Sequence, residues 1–172
     1  MRTSATRTAR KAADNAPRLR LTVQHGSGAV GLPVRSTVRR WLSRTLPRDA
    51  IVTVRFVGIA EGRRLNRDFR GRDYATNVLT FSYETDGVHR TGARTGRAPP
   101  LLVGDIVLCV GVLRREAREQ QKTLRAHCAH LLIHGALHLA GYDHQSDKDA
   151  KVMEALEIEL LGSLGYQNPY AH

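Results

Sequence analysis

Cysteine is scarce. The chain holds two, Cys109 and Cys128, with no C-x-x-C pair. That excludes a disulfide framework and fits a reducing, cytoplasmic compartment. No apolar run reaches the roughly 18–20 residues of a membrane span, so no membrane partner is expected. The N-terminus has no apolar stretch of the kind a secretory signal carries. Aromatic residues make up only 5%, so a platform for stacked bases is not evident. No segment repeats. Acidic groups are outnumbered, with 16 Asp and Glu against 27 Lys and Arg, a net charge of +11. Residues 1–20 carry six basic groups against Asp14, residues 21–140 nineteen against nine acids, and residues 141–172 two against six. A basic body favours a polyanionic partner, nucleic acid ahead of a membrane surface. Scattered arginine also serves plain solubility.

With 172 residues, 41% of them hydrophobic, the chain can bury the core of one domain. Residues 1–18 are basic and poor in large apolar groups, which predicts a disordered tail. Their Arg, Ser and Thr also resemble a transit peptide, but a flexible basic extension is the simpler reading. Residues 19–172 then form a single domain. Alternation or β-branched content predicts strands at Leu19–Val23, Ile51–Val57, Thr76–Tyr83 and Leu101–Val110. Helical spacing predicts helices at Val34–Leu46, Ile59–Phe69, Arg114–Gln121 and Thr123–Ala140, and a last one running to about Leu161. That last helix follows a cap at Ser146 and Asp149 and turns Val152, Met153, Leu156, Leu160 and Leu161 inward. The arginines of the first helix, Arg35, Arg39, Arg40 and Arg44, read as a solvated face. Gly104-Asp105 inside a strand suggests a bulge or a polar role. Residues 86–100 are rich in Gly, Arg and Pro and read as an exposed loop. The order predicts an α+β fold: a four-stranded mixed sheet packed against helices, with the apolar 123–140 helix at its centre.

That helix carries the chemistry. Residues 134–144 read HGALHLAGYDH. His134 and His138 are one helical turn apart and point the same way. Gly141 ends the helix, and the turn after it returns His144 toward the other two imidazoles. Three neutral imidazoles with one open position make a catalytic zinc site, one ion per chain. The spacing matches H-E-x-x-H-x-x-G-x-x-H of the metzincin peptidases except at the general base, where Gly135 replaces Glu. His127 and His130 share the histidine face, either as groups that orient a ligand or as ordinary satisfied histidines. Upstream, LNRDFRGR brings Arg67, Arg70 and Arg72 to a helix end before a strand, and arginine suits bidentate phosphate contact. Spacing does not choose among the three.

HGALHLAGYDH, the upstream strings GDIVLC and LNRDFRGRDYATNVLTFSYE, and the end ALEIELLGSLGYQNPY together resemble the YbeY family of bacterial metal-dependent endoribonucleases. The likeness runs from about Val52 to Tyr170. It implies zinc on His134, His138 and His144. It implies that the functional arginine is Arg70, with Phe69 standing where Tyr is common and Thr80 where Ser is. It further implies single-strand-specific cleavage of RNA, 3′-end maturation of small-subunit ribosomal RNA, ribosome quality control, and the ribosome and assembly factors as partners. On that reading zinc lowers the pKa of a water from ~16 toward ~7 without a Glu base, and Arg70 stabilises transition-state charge. His130, Asp143 and Asp105 are the candidates for orienting a ligand. Two rivals differ in class. One is a zinc peptidase or other metallohydrolase, against which the missing Glu counts. The other is a non-catalytic ribosome assembly factor with structural zinc.

Overall fold

Alternating apolar residues make the sheet. In the computed structural model, which describes residues 18–26, 30–83 and 101–171, strand β1 spans Leu19–His25, β2 Ala50–Val57, β3 Val78–Tyr83 and β4 Leu102–Cys109. Their order across the sheet is β1-β2-β4-β3. β1 and β4 both run parallel to β2, with Val23 beside Val54 and Val54 beside Ile106. β3 runs antiparallel to β4, with Thr80 beside Ile106. Among the described residues five helices complete the α+β fold: α1 Arg35–Thr45, α2 Ile59–Arg70, α3 Val110–Glu119, α4 Leu124–Leu139 and α5 Asp147–Ser163. The basic tail and the 86–100 loop expected from sequence fall on residues outside those described, apart from Arg18.

The two faces of β4 divide the core. Ile106 and Leu108 join the main cluster with Trp41, Phe56, Leu132 and Ala136. Val107 and Cys109 point the other way, into a smaller cluster with Leu79, Val112 and Leu65 of α2. Helix α4 therefore lies across one face and α2 serves the opposite one. From His127 to Leu139 every residue of α4 is buried except His130, His134 and His138. The histidine stripe is the one side of this stretch that reaches solvent.

Several expectations shift in detail. Helix α3 begins at Val110, directly after β4, and not at Arg114. No loop intervenes, because Cys109 already has the extended backbone of a cap. Val152 is 48% exposed, while Met153 and Leu161 are buried. The solvated arginine face of α1 is partly engaged. The guanidinium of Arg35 donates to the Leu21 carbonyl at 2.9 Å and that of Arg39 to the Leu19 carbonyl at 2.8 Å. The cap of α5 forms as expected, with the Asp149 amide donating to Ser146 Oγ at 3.2 Å.

Gly104 produces no bulge, since the register of β4 runs unbroken on both sides. It allows close approach instead. A Cβ there would stand 2.4 Å from Leu139 Cδ2 and 2.5 Å from the Phe81 carbonyl oxygen. This contact sets the height of the last turn of α4, where His138 sits. Gly104→Ala is therefore expected to cost about 1–3 kcal/mol through overpacking, read as a lower urea midpoint with an unchanged m-value.

Candidate metal centre

The end of α4 is built by its own carbonyls. The Gly141 amide donates to the His138 carbonyl and the Tyr142 amide to the Leu137 carbonyl, each at 3.0 Å. This is a Schellman closure, and it needs a left-handed residue just past the helix. Gly141 supplies it with φ 97°. The chain then turns back, and the Asp143 carboxylate accepts the His144 amide at 2.8 Å, fixing the turn. One ring nitrogen from each of His134, His138 and His144 lies within 4.8 Å of the others. Among the described residues no other set of His, Cys, Asp or Glu is grouped closely enough to hold a metal ion. Both cysteines are buried and unpaired, and burial pushes the Cys128 thiol up to about 12.

The partners of the rings decide their tautomers. His134 Nδ1 meets Glu157 Oε1 at 2.7 Å, and His138 Nδ1 meets the Tyr142 carbonyl at 3.0 Å. Both partners are acceptors, so Nδ1 donates, and in the neutral rings each Nε2 carries a lone pair. The two Nε2 atoms face each other at 3.2 Å. Two lone pairs at that separation repel, and a cation between them removes the conflict. Burial lowers the pKa of His138, and the nearby His134 and His144 lower it further. The neutral ring is the form a metal requires. By donor type and spacing, the triad can hold a metal ion.

Glu157 is the residue the sequence did not reveal as functional. It is fully buried on α5, between Met153 and Leu161 at helical spacing. A carboxylate in the middle of an apolar stripe was the available signal. Besides His134, it accepts from His130 Nε2 at 2.9 Å and from the Tyr170 hydroxyl. Burial pushes the Glu157 carboxyl up, but the bonds from His130, His134 and Tyr170 outweigh it and bring the pKa to about 2. His130 thus touches Glu157 and stands outside the triad. His127 is engaged by Glu116 Oε2 at 2.8 Å, and Glu116 in turn accepts from Asn77.

The triad opens on a cleft of about 880 Å³. Arg70, Arg72, Tyr74, Tyr142 and Asp143 share its lining. The candidate arginines separate here. Arg67 pairs with Asp68 at 3.1 Å and does not line the cleft. Arg70 donates one bond, to the Thr80 carbonyl at 3.1 Å, and Arg72 meets the Tyr74 hydroxyl at 3.2 Å. Asp105 lies apart from the triad. It accepts the Tyr83 hydroxyl at 2.8 Å and takes no part in the lining.

Gly135 stands where a metzincin has its base, and its surroundings explain the difference. A Cβ there would lie 2.9 Å from Thr80 Oγ1 and 3.0 Å from Ile106 Cγ2. This side of α4 rests on the sheet and does not look into the cleft. Gly135→Glu is expected to lose about 3–5 kcal/mol, since it buries an unpaired charge. It is also expected to gain no peptide cleavage, checked by a urea melt and a chelator-controlled peptidase assay.

Comparison with known proteins gives the family. The family profile described as Endoribonuclease YbeY matches residues 31–165. Proteins named Endoribonuclease YbeY resemble the chain closely. The one from Nitrosospira multiformis is 49% identical over 94% of this chain and 87% of its own. The one from Aromatoleum aromaticum is 52% identical over 90% and 94%. The solution structure of TM1509 from Thermotoga maritima is similar at a TM-score of 0.50 and 27% identity, covering 86% of this chain and 91% of that one. A profile across most of the chain, and relatives about half identical over nine-tenths of it, show that the chain belongs to the YbeY family.

Proposed function

We propose that this protein is a zinc-dependent endoribonuclease that cleaves single-stranded RNA within the small-subunit ribosomal RNA, in 3′-end maturation and ribosome quality control. Its working partners are then the ribosome and its assembly factors, in the cytoplasm. Membership in a family whose members are named endoribonucleases supports the reaction class. Among the described residues no helix is long and apolar enough to cross a membrane. The observation that carries the reading is the opening of His134, His138, His144 and Arg70 on one cleft. A metal-ligand set and a guanidinium that meets no carboxylate among the described residues suit a phosphodiester. A peptidase reading has to place a carboxylate base at Gly135, where the sheet leaves no room.

His134, His138 and His144 would hold the zinc. When bound, it supplies a Lewis acid and acidifies a water at neutral pH. The remaining roles belong to the chain. Glu157 and the Tyr142 carbonyl keep His134 and His138 in the tautomer that turns Nε2 inward. Asp143 holds the turn that carries His144. Arg70, tethered by one bond to Thr80, keeps its other N–H donors for the phosphate oxygens and for the charge that builds in the transition state.

Arg70→Ala is expected to lower kcat/KM on a single-stranded RNA about 100-fold or more while zinc binding is retained. His138→Ala is expected to abolish cleavage, as is chelation, with zinc restoring the wild type alone. Full metal-dependent cleavage by both variants would sink the assignment. Mapping the product ends separates the two routes of attack. A 2′,3′-cyclic phosphate would mean that the 2′-hydroxyl is the nucleophile, and a 5′-phosphate beside a 3′-hydroxyl that water is.

A further inference from the structure

We propose that Glu157 and Tyr170 are positioning residues of the metal centre, and that the C-terminal segment 166–171 is a working part of it. The inference rests on the reading of the triad as a metal site. It goes beyond that reading by assigning roles to residues on a different helix and on the chain end.

Glu157 holds the place of an apolar residue. It is completely buried, and its neighbours on the stripe of α5 are Met153 and Leu161. A leucine would complete that stripe without the cost of taking a carboxylate out of water. What the carboxylate adds is direction. Its Oε1 accepts from His134 Nδ1 at 2.7 Å, which stops the ring from rotating and keeps the proton off Nε2. Groups that play this part for a metal-bound histidine commonly change metal affinity when removed.

Tyr170 holds the carboxylate in turn. Its hydroxyl donates to Glu157 Oε2, the oxygen that His130 Nε2 also meets at 2.9 Å. The tyrosine ring packs edge-on against His130, with centroids 5.4 Å apart. The residue does not hang from a loose end. Pro169 before it is buried, the Pro169 carbonyl accepts from Lys122 Nζ at the joint of α3 and α4, and the Tyr170 amide donates to Asn168 Oδ1 at 2.9 Å. The chain leaves α5 and returns to α4, where the Tyr170 hydroxyl meets Glu157 and its ring meets His130. One continuous set of bonds therefore runs from Lys122 through the chain end to Glu157 and His134.

The test uses the full chain as Glu157→Leu and Tyr170→Phe, with zinc affinity measured by competition against a chromophoric chelator. Melting of the metal-free and zinc-loaded proteins is followed in parallel. Glu157→Leu is expected to weaken zinc binding about 10–100-fold, and its metal-free form to melt lower than wild type, because His130, His134 and Tyr170 lose their acceptor. Tyr170→Phe is expected to weaken it about 3–10-fold, with a smaller zinc-dependent rise in melting temperature. Nitrogen-detected NMR of the zinc-free protein should show His134 as the Nδ1–H tautomer in wild type and a tautomer mixture in both variants. If Glu157→Leu does not fold, Tyr170→Phe and its tautomer readout decide. Unchanged zinc affinity in folded Tyr170→Phe, with His134 still a single tautomer, overturns the role of the chain end. The same result in both variants overturns the whole inference. A wild type that binds no zinc would sink the metal reading itself, and this inference with it.

Discussion

A helix buried on every side but one gives its polar side chains a single way out. Helix α4 rests on the sheet through Gly135 and Ala136 and is enclosed elsewhere by α1, α3 and α5. From His127 to Leu139 only the stripe of His130, His134 and His138 is left partly open. Each imidazole must find a partner there, because an unpaired polar group in that setting costs about 1–3 kcal/mol. The partners come from three separate stretches: Glu157 from α5, the Tyr142 carbonyl from the turn after α4, and the Tyr170 hydroxyl from the chain end. Giving each ring of the stripe a partner and shaping a site able to hold a metal are thus met by the same atoms.

The sheet serves this helix. Two close approaches, at Gly104 and Gly135, let α4 lie low over β3 and β4. β3 is also the strand whose Thr80 carbonyl tethers Arg70 and whose residues border the cleft. The height of the histidines and the reach of the arginine are therefore measured from the same two strands. The Schellman closure at Gly141 brings in the third histidine without any further element of structure.

Much of this was legible in the sequence. Strand and helix order followed from periodicity, and the triad followed from H-x3-H-x5-H with a glycine in the turn. What escaped depended on distance in space. Glu157 lies 23 residues from His134, and its helix reads as a plain amphipathic one. The stripe in which it sits contains Met153 and Leu161, and a carboxylate between them was the one local hint. Arg67, Arg70 and Arg72 are equivalent by composition, and they part only when Asp68 occupies Arg67 and the cleft takes the other two. Gly104-Asp105 suggested a bulge because a strand glycine has two common causes, and spacing alone does not distinguish a kink from a close neighbour.

Arginine at the margins of the sheet occupies part of its outer edges. A parallel sheet ends in a row of carbonyls and amides able to recruit a strand from another molecule. On β1, two of those carbonyls, Leu19 and Leu21, are already bonded to Arg39 and Arg35. On the opposite outer strand, Thr80 is bonded to Arg70. Three of the arginines thus spend a donor on outer carbonyls of the sheet, occupying positions with which an added strand would pair.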